Sequence, residues 1–414
     1  MLFKELNLIP QLLRAVQQQG YQKPTPIQEQ SIPNLLNGYD LFGCAQTGTG
    51  KTAAFCIPLL QHLFQNKRDI KHNIRALVLA PTRELAIQIG ESLHTYGCYL
   101  PLKHTVIYGG VPQHAQTKAL RQGVDIVVAT PGRLLDLVSQ GYVRLGNVEF
   151  LVLDEADQML DMGFINDIKK IIQEIPHRRQ TILFSATLPK EIRSLVAKIL
   201  NDPIHVELSH ANNSAADTVN QSMYFVDKVN KRNLLSHILK GEAVESALVF
   251  MRTKHSADKL ARALSKQNIS VEAIHGNKSQ GQRQKTLNRF KSKQLRVLVA
   301  TDVAARGIDI DDLSHVINFD LPQTPETYVH RIGRTGRAGS SGIALSFCGR
   351  DEIGTLKDIH RHLGKSIPEI TEHPFLTTAS LTTNSEKRQS QKRTSGYNTN
   401  TKFRRSFRAK KRAS

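Results

Sequence analysis

The sequence predicts an α/β protein with two tandem domains, each a mostly parallel β-sheet flanked by helices, followed by a disordered basic C-terminal tail. Short aliphatic runs alternate with polar or glycine-rich clusters and helical stretches, a rhythm that pauses in a polar segment and then restarts. Continuous apolar strands are typical of a parallel sheet covered on both faces. We assign 1–208 to the first domain, 209–217 to a linker, 218–370 to the second domain and 371–414 to the tail.

Length and composition limit the class of protein. The 414 residues have room for two ordinary domains and an extension. No apolar run approaches the roughly 20 residues of a membrane span, and Glu5 stands where a signal peptide carries bases. The four cysteines lack the spacing of a zinc site or a disulfide framework. We therefore expect a soluble, cytoplasmic protein without a membrane partner.

The net charge of +20 favours a polyanionic partner such as nucleic acid. The excess is concentrated in Thr371–Ser414, which carries 11 Lys and Arg residues against 2 acids. This segment has too few aliphatic residues to fold alone. Its arginines alternate with Tyr397, Phe403 and Phe407, which favours an arm that gathers phosphates and stacks on bases. The alternative is a solvated tail that keeps the protein soluble.

A glycine-rich segment after the first aliphatic run predicts a phosphate-binding loop. Its residues are Ala45, Gln46, Thr47, Gly48, Thr49, Gly50, Lys51 and Thr52. The glycines let N–H groups point at an anion, the lysine reaches the outer phosphates, and the hydroxyl ligates Mg²⁺. Ala45 stands where the usual pattern has its first glycine. The segment indicates a nucleoside triphosphatase, and the alternative is a glycine-rich turn without a ligand.

Asp154 and Glu155 follow the aliphatic run Phe150–Leu153 and predict the second half of the nucleotide site. An aspartate at a strand end beside a phosphate loop holds Mg²⁺, and a neighbouring glutamate orients and deprotonates the attacking water. Two acids in a loop are otherwise a solvated helix cap. The aliphatic run before them and the phosphate loop upstream favour the catalytic interpretation.

Further polar clusters follow the other predicted strands of the first domain. They are Pro81-Thr82-Arg83-Glu84, Gly109-Gly110, Thr130-Pro131-Gly132-Arg133 and Ser185-Ala186-Thr187. Ligands of an open α/β sheet bind beyond the carboxyl ends of its strands, where all these clusters are expected.

Upstream of the phosphate loop, Pro24 and Pro26 predict a rigid extended segment, with a helix only from Glu29 to Leu36. Gln28 in this segment has an amide that suits the N6 and N7 edge of adenine. The alternative is an ordinary surface glutamine.

The second domain repeats the strand, loop and helix rhythm without a phosphate loop of its own. Glycines alternate with arginines between Arg331 and Arg337, which would let the arginines approach a ligand closely. We expect this domain to close over the nucleotide of the first domain and to supply arginine fingers. A solvated basic turn is the alternative.

These motifs together resemble those of the DEAD-box RNA helicases, a family named after the one-letter codes of the tetrapeptide found here as Asp154-Glu155-Ala156-Asp157. The resemblance covers about Phe3 to Ile367. Within the family, the chain is similar to the compact bacterial RhlE-like branch. It implies two RecA-like domains that bind ATP, Mg²⁺ and RNA together. It also implies an enzyme that hydrolyses ATP to unwind or remodel RNA duplexes and RNA–protein complexes locally.

The resemblance implies roles for individual residues around ATP. The nucleotide is expected to contact Phe3 on the adenine, Gln28 on the adenine edge, the loop Ala45–Thr52, and Asp309 on the ribose. Mg²⁺ is expected on Thr52 and Asp154, and the catalytic residues are expected to be Lys51, Glu155, Arg334 and Arg337. Coupling of the ATP state to domain closure is expected from Ser185, Thr187 and His330.

RNA is expected on the opposite rim of the cleft. The implied contacts are Pro81, Thr82, Arg83, Gly110, Thr130 and Arg133 in the first domain, and Gly276, Arg283 and Thr301 in the second. Small, hydroxylated and basic residues suit phosphate and sugar oxygens, so binding should be largely independent of RNA sequence. The implied cycle closes the domains on ATP and RNA, bends the bound strand, and reopens after hydrolysis.

Other classes of function are weighed against this one. A non-catalytic RNA chaperone or annealing protein would not need Lys51, Glu155 and Arg337, and a small-molecule kinase would not need the second sheet. A DNA-directed helicase would differ in whether RNA or DNA stimulates the ATPase. The sequence leaves open the RNA target and whether the pathway is ribosome assembly, RNA decay or cold adaptation. We expect a monomer or a weak oligomer.

Overall fold

The computed structural model places two parallel sheets in succession along the chain, the first within residues 41–207 and the second within residues 219–348. The residues that it describes are 1–45, 48–66, 73–207, 219–241, 244–305, 313–336 and 342–375. The predicted linker, 209–217, and the domain limits beside it lie outside these residues. Within the described part of the chain, no helix has the length and apolar character needed to cross a bilayer.

Seven strands form the first sheet. In chain order they are β1 (Leu41–Cys44), β2 (Ala76–Leu79), β3 (His104–Ile107), β4 (Ile126–Ala129), β5 (Phe150–Leu153), β6 (Gln180–Ser185) and β7 (Ile204–Glu207). They lie in the order β3-β4-β2-β5-β6-β1-β7, and every pairing is parallel. Strands β2, β4, β5 and β6 are buried along their whole length, which explains their continuous apolar sequence.

Helices cover both faces of the first sheet. In chain order they are α1 (Pro10–Gln18), α2 (Pro26–Leu36), α3 (Lys51–Gln65), α4 (Arg83–Tyr96), α5 (His114–Arg121), α6 (Pro131–Ser139), α7 (Ala156–Asp161), α8 (Ile165–Gln173) and α9 (Lys190–Ile199). Successive strand residues enter opposite cores: Val78 and Phe184 pack in one, while Leu77 and Leu183 pack in the other. This alternation produces the two apolar layers of the predicted architecture.

The second sheet has six strands. They are β8 (Val219–Phe225), β9 (Ala247–Met251), β10 (Val271–Ile274), β11 (Val297–Thr301), β12 (His315–Asn318) and β13 (Gly342–Cys348). Their order is β10-β11-β9-β12-β13-β8, again with parallel pairing throughout. The flanking helices are α10 (Lys231–Lys240), α11 (Lys254–Ser265), α12 (Gln280–Lys291), α13 (Asp302–Ala305), α14 (Pro325–Ile332) and α15 (Ile353–Leu363). The predicted fold class is confirmed.

Helix α2 begins earlier than the sequence predicted. It starts at Pro26 rather than at Glu29, so Gln28 lies in its first turn and not in an extended segment. A proline at the first helical position loses no hydrogen bond, because that N–H has no intrahelical partner, and its fixed φ suits the helix. The Gln28 side chain accepts a hydrogen bond from the N–H of Thr25 at 3.0 Å, which closes the start of the helix.

The packed part of the second domain reaches beyond its predicted limit at residue 370. Ile370 donates its N–H to the carbonyl of Met223 at 2.8 Å. The ring of His373 then lies against Tyr224 with centroids 5.4 Å apart, and Phe375 packs on the core of this domain. Residues 371–375 were predicted to belong to the tail, but the rings of His373 and Phe375 pack against the second domain. The remainder of the predicted tail, 376–414, lies outside the described residues.

Gly43 in β1 permits the close approach of the neighbouring strand β6. A Cβ at this position would lie 2.2 Å from a ring carbon of Phe184, a fully buried residue that pairs with Gly43. We expect Gly43→Ala to destabilise the first domain by about 1–3 kcal/mol, because the buried ring has no space to move away. Thermal and denaturant unfolding of the intact chain would measure this.

Gly146 provides the matched control for this substitution. A Cβ there would meet nothing within 4 Å, so Gly146→Ala should leave the unfolding transition nearly unchanged. Equal stability of the Gly43→Ala and Gly146→Ala proteins would show that contact with Phe184 does not constrain β1.

Candidate functional site

The phosphate loop joins β1 to α3 and is shaped by glycines. Gly48 and Gly50 have φ values of 84° and 94°, in the left-handed region that favours glycine. Lys51 is the first residue of α3 and only 6% exposed, and its Nζ donates to the carbonyl of Ala45 at 2.9 Å. The lysine thus lies back over the loop that it follows, with the helix N-terminus beside it. Gln46 and Thr47 lie outside the described residues.

Helix α2 holds this loop from the outside. The Nε2 of Gln28 donates to the carbonyl of Gly50 at 3.1 Å, and the Thr25 hydroxyl donates to the carbonyl of Thr49 at 2.8 Å. A Cβ on Gly50 would lie 2.5 Å from Nε2 of Gln28, so the contact requires glycine. The Gln28 amide is therefore engaged on both of its ends by the protein. A second lone pair on its carbonyl oxygen and a second N–H remain for an adenine edge, and its reading of adenine stays a prediction.

Phe3 belongs to the apolar core of the first domain. Its ring is 4% exposed, within a short 3-10 helix, Phe3–Glu5. Its stacking on adenine also stays a prediction.

Asp154 and Glu155 follow β5 and are 2% and 4% exposed. Oδ1 of Asp154 accepts the N–H of Glu155 at 3.0 Å, and Glu155 adopts a left-handed backbone with φ 52°. Burial raises the pKa of Asp154, and the charge of Lys51 opposes that rise. Burial raises the pKa of Glu155 to about 7; Lys51 opposes the rise, Asp154 reinforces it, and Arg334 opposes it. Oε2 of Glu155 has no hydrogen-bond partner among the described residues.

These groups surround one cavity of about 470 Å³. The first domain contributes Lys51, Thr52, Asp154 and Glu155, and the second contributes Arg334, which is 7% exposed. Electrostatic attraction between Arg334 and Glu155 acts across the two domains. The other predicted finger, Arg337, lies outside the described residues, as does Asp309.

The cavity has the donors that ATP and Mg²⁺ need. A lysine, left-handed glycines and a helix N-terminus suit the phosphates, and Glu155, whose buried Oε2 has no hydrogen-bond partner among the described residues, lines the same cavity. No cluster of three or more His, Cys, Asp or Glu side chains forms a metal site among the described residues. Mg²⁺ in nucleotide sites takes only one or two carboxylates, with substrate phosphates and water, so Thr52 and Asp154 fit it.

Asp157 organises the loop that ends β6. Its Oδ2 accepts hydrogen bonds from the N–H groups of Ala186 and Thr187, at 3.1 and 2.9 Å, and from the Thr187 hydroxyl at 3.0 Å. The Ser185 hydroxyl donates to the carbonyl of Thr187 at 2.7 Å. Sequence reasoning did not assign Asp157 a role. Its place as the last letter of the Asp-Glu-Ala-Asp motif was the available signal.

A second contact across the domains involves Glu84. Its Oε1 accepts hydrogen bonds from Nη2 of Arg283 at 2.9 Å and from Nε2 of Gln280 at 3.0 Å. Glu84, Gln280 and Arg283 are each 6–7% exposed. Arg283 was predicted to contact RNA, and the structure gives it this buried interdomain partner instead. The RNA contact of Arg283 stays a prediction.

The predicted RNA residues of the first domain lie at neighbouring strand ends. The Arg83 guanidinium lies against Gly110, where a Cβ would be 2.3 Å from its nitrogens, and Gly110 has φ 78°. Thr82 caps α4 by accepting the N–H of Leu85. Arg133 donates to the carbonyl of Val111 at 3.3 and 3.4 Å. Pro81 precedes α4, and Thr130 precedes α6.

Two other predicted RNA residues of the second domain, Gly276 and Thr301, are less enclosed than Arg283. Gly276 follows β10 with open space around it, and Thr301 ends β11. His330 lies in the last turn of α14.

Arg331 differs from the expectation that the arginines of this region approach a ligand. It is 3% exposed, and its guanidinium binds both carboxylate oxygens of Asp302, at 2.6 and 2.8 Å. It also donates to Asn318 and to the carbonyl of Asp320, and it lies over the ring of Phe250. Arg331 therefore fixes α14 to the sheet and positions the turn that carries Arg334.

Comparisons with known proteins identify the family. The DEAD/DEAH box helicase family matches residues 25–195, and the Helicase conserved C-terminal domain matches residues 230–339. The DEAD-box ATP-dependent RNA helicase CshA of Bacillus cereus is 46% identical over 359 residues, which is 87% of this chain and 67% of that protein. The chain belongs to the DEAD-box ATP-dependent RNA helicases. Its placement in the RhlE-like branch stays a prediction.

Solved structures bear on the arrangement of the two domains. S. cerevisiae Dbp5 bound to RNA and ADP BeF3 is 32% identical with a TM-score of 0.79, over 89% of this chain and 95% of that one. A DEAD box protein from Methanococcus jannaschii is 42% identical with a TM-score of only 0.53, over 90% and 99%. Since both cover the two domains, the overall arrangement here is more similar to that of the RNA- and nucleotide-bound structure.

The Glu84 contact leads to a prediction about domain closure. Glu84→Ala leaves the buried Arg283 without its carboxylate partner. Loss of one partner of a buried ion pair typically costs about 3 kcal/mol or more, and here that cost destabilises only the closed arrangement, in which the domains meet. We expect weaker closure with ATP analogue and RNA, measured by energy transfer between dyes on the two domains. RNA-stimulated ATPase should need higher RNA concentrations.

The exposed Glu191 on α9 offers a matched control. Glu191→Ala removes the same charge from the first domain and should leave closure unchanged. If Glu84→Ala closes as readily as the Glu191→Ala protein, the interdomain contact contributes nothing to closure.

Proposed function

We propose that ATP binds in the cavity between the two domains and that this shared site drives the ATP-dependent RNA helicase activity of the chain. The observation that carries the proposal is the set of charges around one cavity: Lys51, Asp154 and Glu155 from the first domain, and Arg334 from the second. Neither domain supplies all of them. Hydrolysis should therefore depend on closure, and closure on both ligands.

The phosphates of ATP are bound by the loop that precedes α3. The N–H groups around Gly48 and Gly50 and the Nζ of Lys51 supply donors, and Gln28 and Thr25 keep the loop in shape. Gln46 and Thr47 are included on the loop pattern alone. Thr52 and Asp154 would hold Mg²⁺, which would neutralise negative charge on the phosphates.

Glu155 is proposed to orient the attacking water and to accept its proton. It lines the cavity with an Oε2 that has no hydrogen-bond partner among the described residues, and its raised pKa makes it a better proton acceptor than an exposed glutamate. Arg334 would stabilise the negative charge that develops on the transferred phosphoryl group. Arg337 as a second finger and Asp309 at the ribose rest on the resemblance.

The structural effect of phosphate release is proposed to be transmitted to the second domain through the loop after β6. Asp157, two residues after Glu155, accepts hydrogen bonds from Thr187, and the Thr187 carbonyl accepts the Ser185 hydroxyl, so a movement of the acids would reach this hydrogen-bond set. His330, one turn before Arg334, is the proposed receiver on the other side.

RNA is proposed to lie along the strand ends on the opposite rim, from Pro81, Thr82, Arg83, Gly110, Thr130 and Arg133 to Gly276, Arg283 and Thr301. Their side chains and backbone suit phosphate and sugar oxygens, which favours contacts independent of sequence. Dbp5, one of the similar structures, is described as bound to RNA. A strand bent along this rim would lose pairing with its complement.

The basic segment 376–414 is proposed to act as an auxiliary RNA-binding arm. We further propose a cytoplasmic monomer or weak oligomer that works in ribosome assembly or RNA decay; the matched CshA relative is bacterial.

The shared site is tested by Glu155→Gln and Arg334→Ala. The amide keeps the shape of Glu155 but cannot take a proton, so ATP and RNA should bind and turnover should stop. Arg334→Ala should lower the saturated, RNA-stimulated ATPase rate by about a thousandfold, as loss of an arginine finger does. Steady-state ATPase and filter binding measure both effects.

Arg361→Ala is the control, since this arginine is 80% exposed on α15. It should leave the rate unchanged. Turnover of the Arg334→Ala protein near that of the Arg361→Ala protein would remove the second domain from the catalytic site.

The tail is tested by ending the chain after Phe375, which keeps the packed residues 371–375. The maximal RNA-stimulated ATPase rate should stay nearly intact, while RNA affinity falls and its salt dependence flattens by roughly 0.7 in slope per phosphate no longer contacted. Binding titrations over a range of salt concentrations measure the slope.

A tail of the same length with every Lys and Arg replaced by Ser separates charge from length and should behave like the truncation. If the slope is the same in all three proteins, the tail serves solubility alone.

A further inference from the structure

The two sheets correspond strand for strand, which identifies a counterpart of the phosphate loop in the second domain. The order β3-β4-β2-β5-β6-β1 matches β10-β11-β9-β12-β13-β8, so β8 takes the place of β1. Lys51 is the first residue of the helix after β1, and Lys231 is the first residue of the helix after β8. Asp154 follows β5, and Asp320 follows β12, its counterpart.

The deep part of this counterpart is filled by a carboxylate of the protein. Oε2 of Glu352 accepts Nζ of Lys231 at 2.6 Å and the N–H of Gly349 at 3.0 Å. Oε1 accepts the N–H of Leu321 at 3.0 Å and Nη2 of Arg252 at 3.2 Å. Glu352 is 5% exposed, so its charge replaces that of a phosphate beside the lysine. A triphosphate cannot bind here as it does in the first domain.

Outside Glu352 the counterpart opens into a cavity of about 470 Å³ with a basic rim. Met251, Leu260 and Phe319 line its apolar part. The lining carries more bases than acids: Lys228, Lys231, Arg232, Arg252 and Lys259 against Asp320, Asp351 and Glu352. Such a cavity offers an apolar surface for a base or sugar and cations for a phosphate.

A second basin of about 680 Å³ adjoins it between α10 and α11 and shares Arg232 and Lys259. Arg262 and Lys266 continue the positive charge along α11. The acid within this basin, Asp258, is neutralised, because its oxygens lie 3.0 Å from His275 and 3.0 Å from Lys278. The surface therefore keeps an excess of positive charge.

The basic surface continues from the proposed RNA rim. Lys254, the first residue of α11, donates to Asn277 at 3.0 Å, next to Gly276. Lys259, Arg262 and Lys266 follow along the same helix at spacings of three to five residues, so a strand that passes Gly276 has cations ahead of it.

We propose that this basic cavity of the second domain binds the phosphate of a nucleotide unit outside the catalytic cleft. The phosphate belongs either to an RNA strand that continues beyond Gly276 or to a free nucleotide. Bound there, an RNA strand would be held by the second domain in a segment longer than the cleft alone covers. The RNA source rests on the proposed RNA rim, whereas the free-nucleotide source does not.

The test reverses two charges that belong neither to the catalytic residues nor to the proposed RNA rim, in the double variant Lys259→Glu with Arg262→Glu. The matched control, Lys240→Glu with Lys357→Glu, places the same change on exposed positions of α10 and α15 that do not line the cavity. Affinity is measured for a short RNA strand that fills the cleft and for one several times longer. Calorimetry with ADP and with inorganic pyrophosphate counts the binding events per chain.

If RNA is the source, the cavity variant binds the long strand on the order of tenfold more weakly than the control does, with a lower salt slope. Its affinity for the short strand and the ATPase stimulated by that strand stay unchanged. If free nucleotide is the source, the unmodified chain shows a second, weaker binding event that the cavity variant loses.

The proposal is overturned if the cavity and control variants bind both strands alike and no second nucleotide event is seen. Failure of the unmodified chain to bind the short strand would instead count against the proposed RNA rim. Lys259→Ser with Arg262→Ser repeats the comparison without introducing new charge, and it decides the matter if the reversed variant fails to fold.

Discussion

Burial of two carboxylates beside one lysine is the constraint on which the catalytic site depends. Asp154 and Glu155 are almost removed from water, so their charged forms need cations close by. Lys51 supplies one from the same domain, and Arg334 supplies another from the second. An arginine that comes from the other domain makes the electrostatic balance of the site a function of closure. That dependence would let the proposed ATP site act on the arrangement of the two domains.

The polar groups around the proposed site form hydrogen bonds within the protein, in addition to any that they make with a ligand. Gln28 holds the phosphate loop, Asp157 holds the loop after β6, and Arg331 holds the turn before Arg334. Each of these side chains is buried and has its hydrogen bonds made within the protein. Such preorganised groups keep the reacting residues in position without reorganisation during the reaction.

The second domain shows how a repeated fold avoids a second ATP site. Its sheet has the strand order of the first, and it retains a lysine at the corresponding helix start. Glu352 neutralises that lysine through one of the four hydrogen bonds that it accepts, and its carboxylate occupies the space of a phosphate. One catalytic site and one basic cavity result from the same topology.

The sequence by itself determined most of the strands, though not β7 or β13, together with their parallel class, the phosphate-loop pattern and the acid pair, because apolar runs and local spacing are set by neighbouring residues. It placed α2 late and did not find the carboxylate partners of Arg283 and Arg331, because a charged side chain looks the same in sequence whether its partner is RNA or a distant carboxylate. Only the tertiary structure decided that Glu84 binds Arg283, that Asp302 binds Arg331 and that Glu352 neutralises Lys231. These pairs join residues 29 to 199 positions apart, and their strength comes from burial, a property that the fold creates and no local pattern carries.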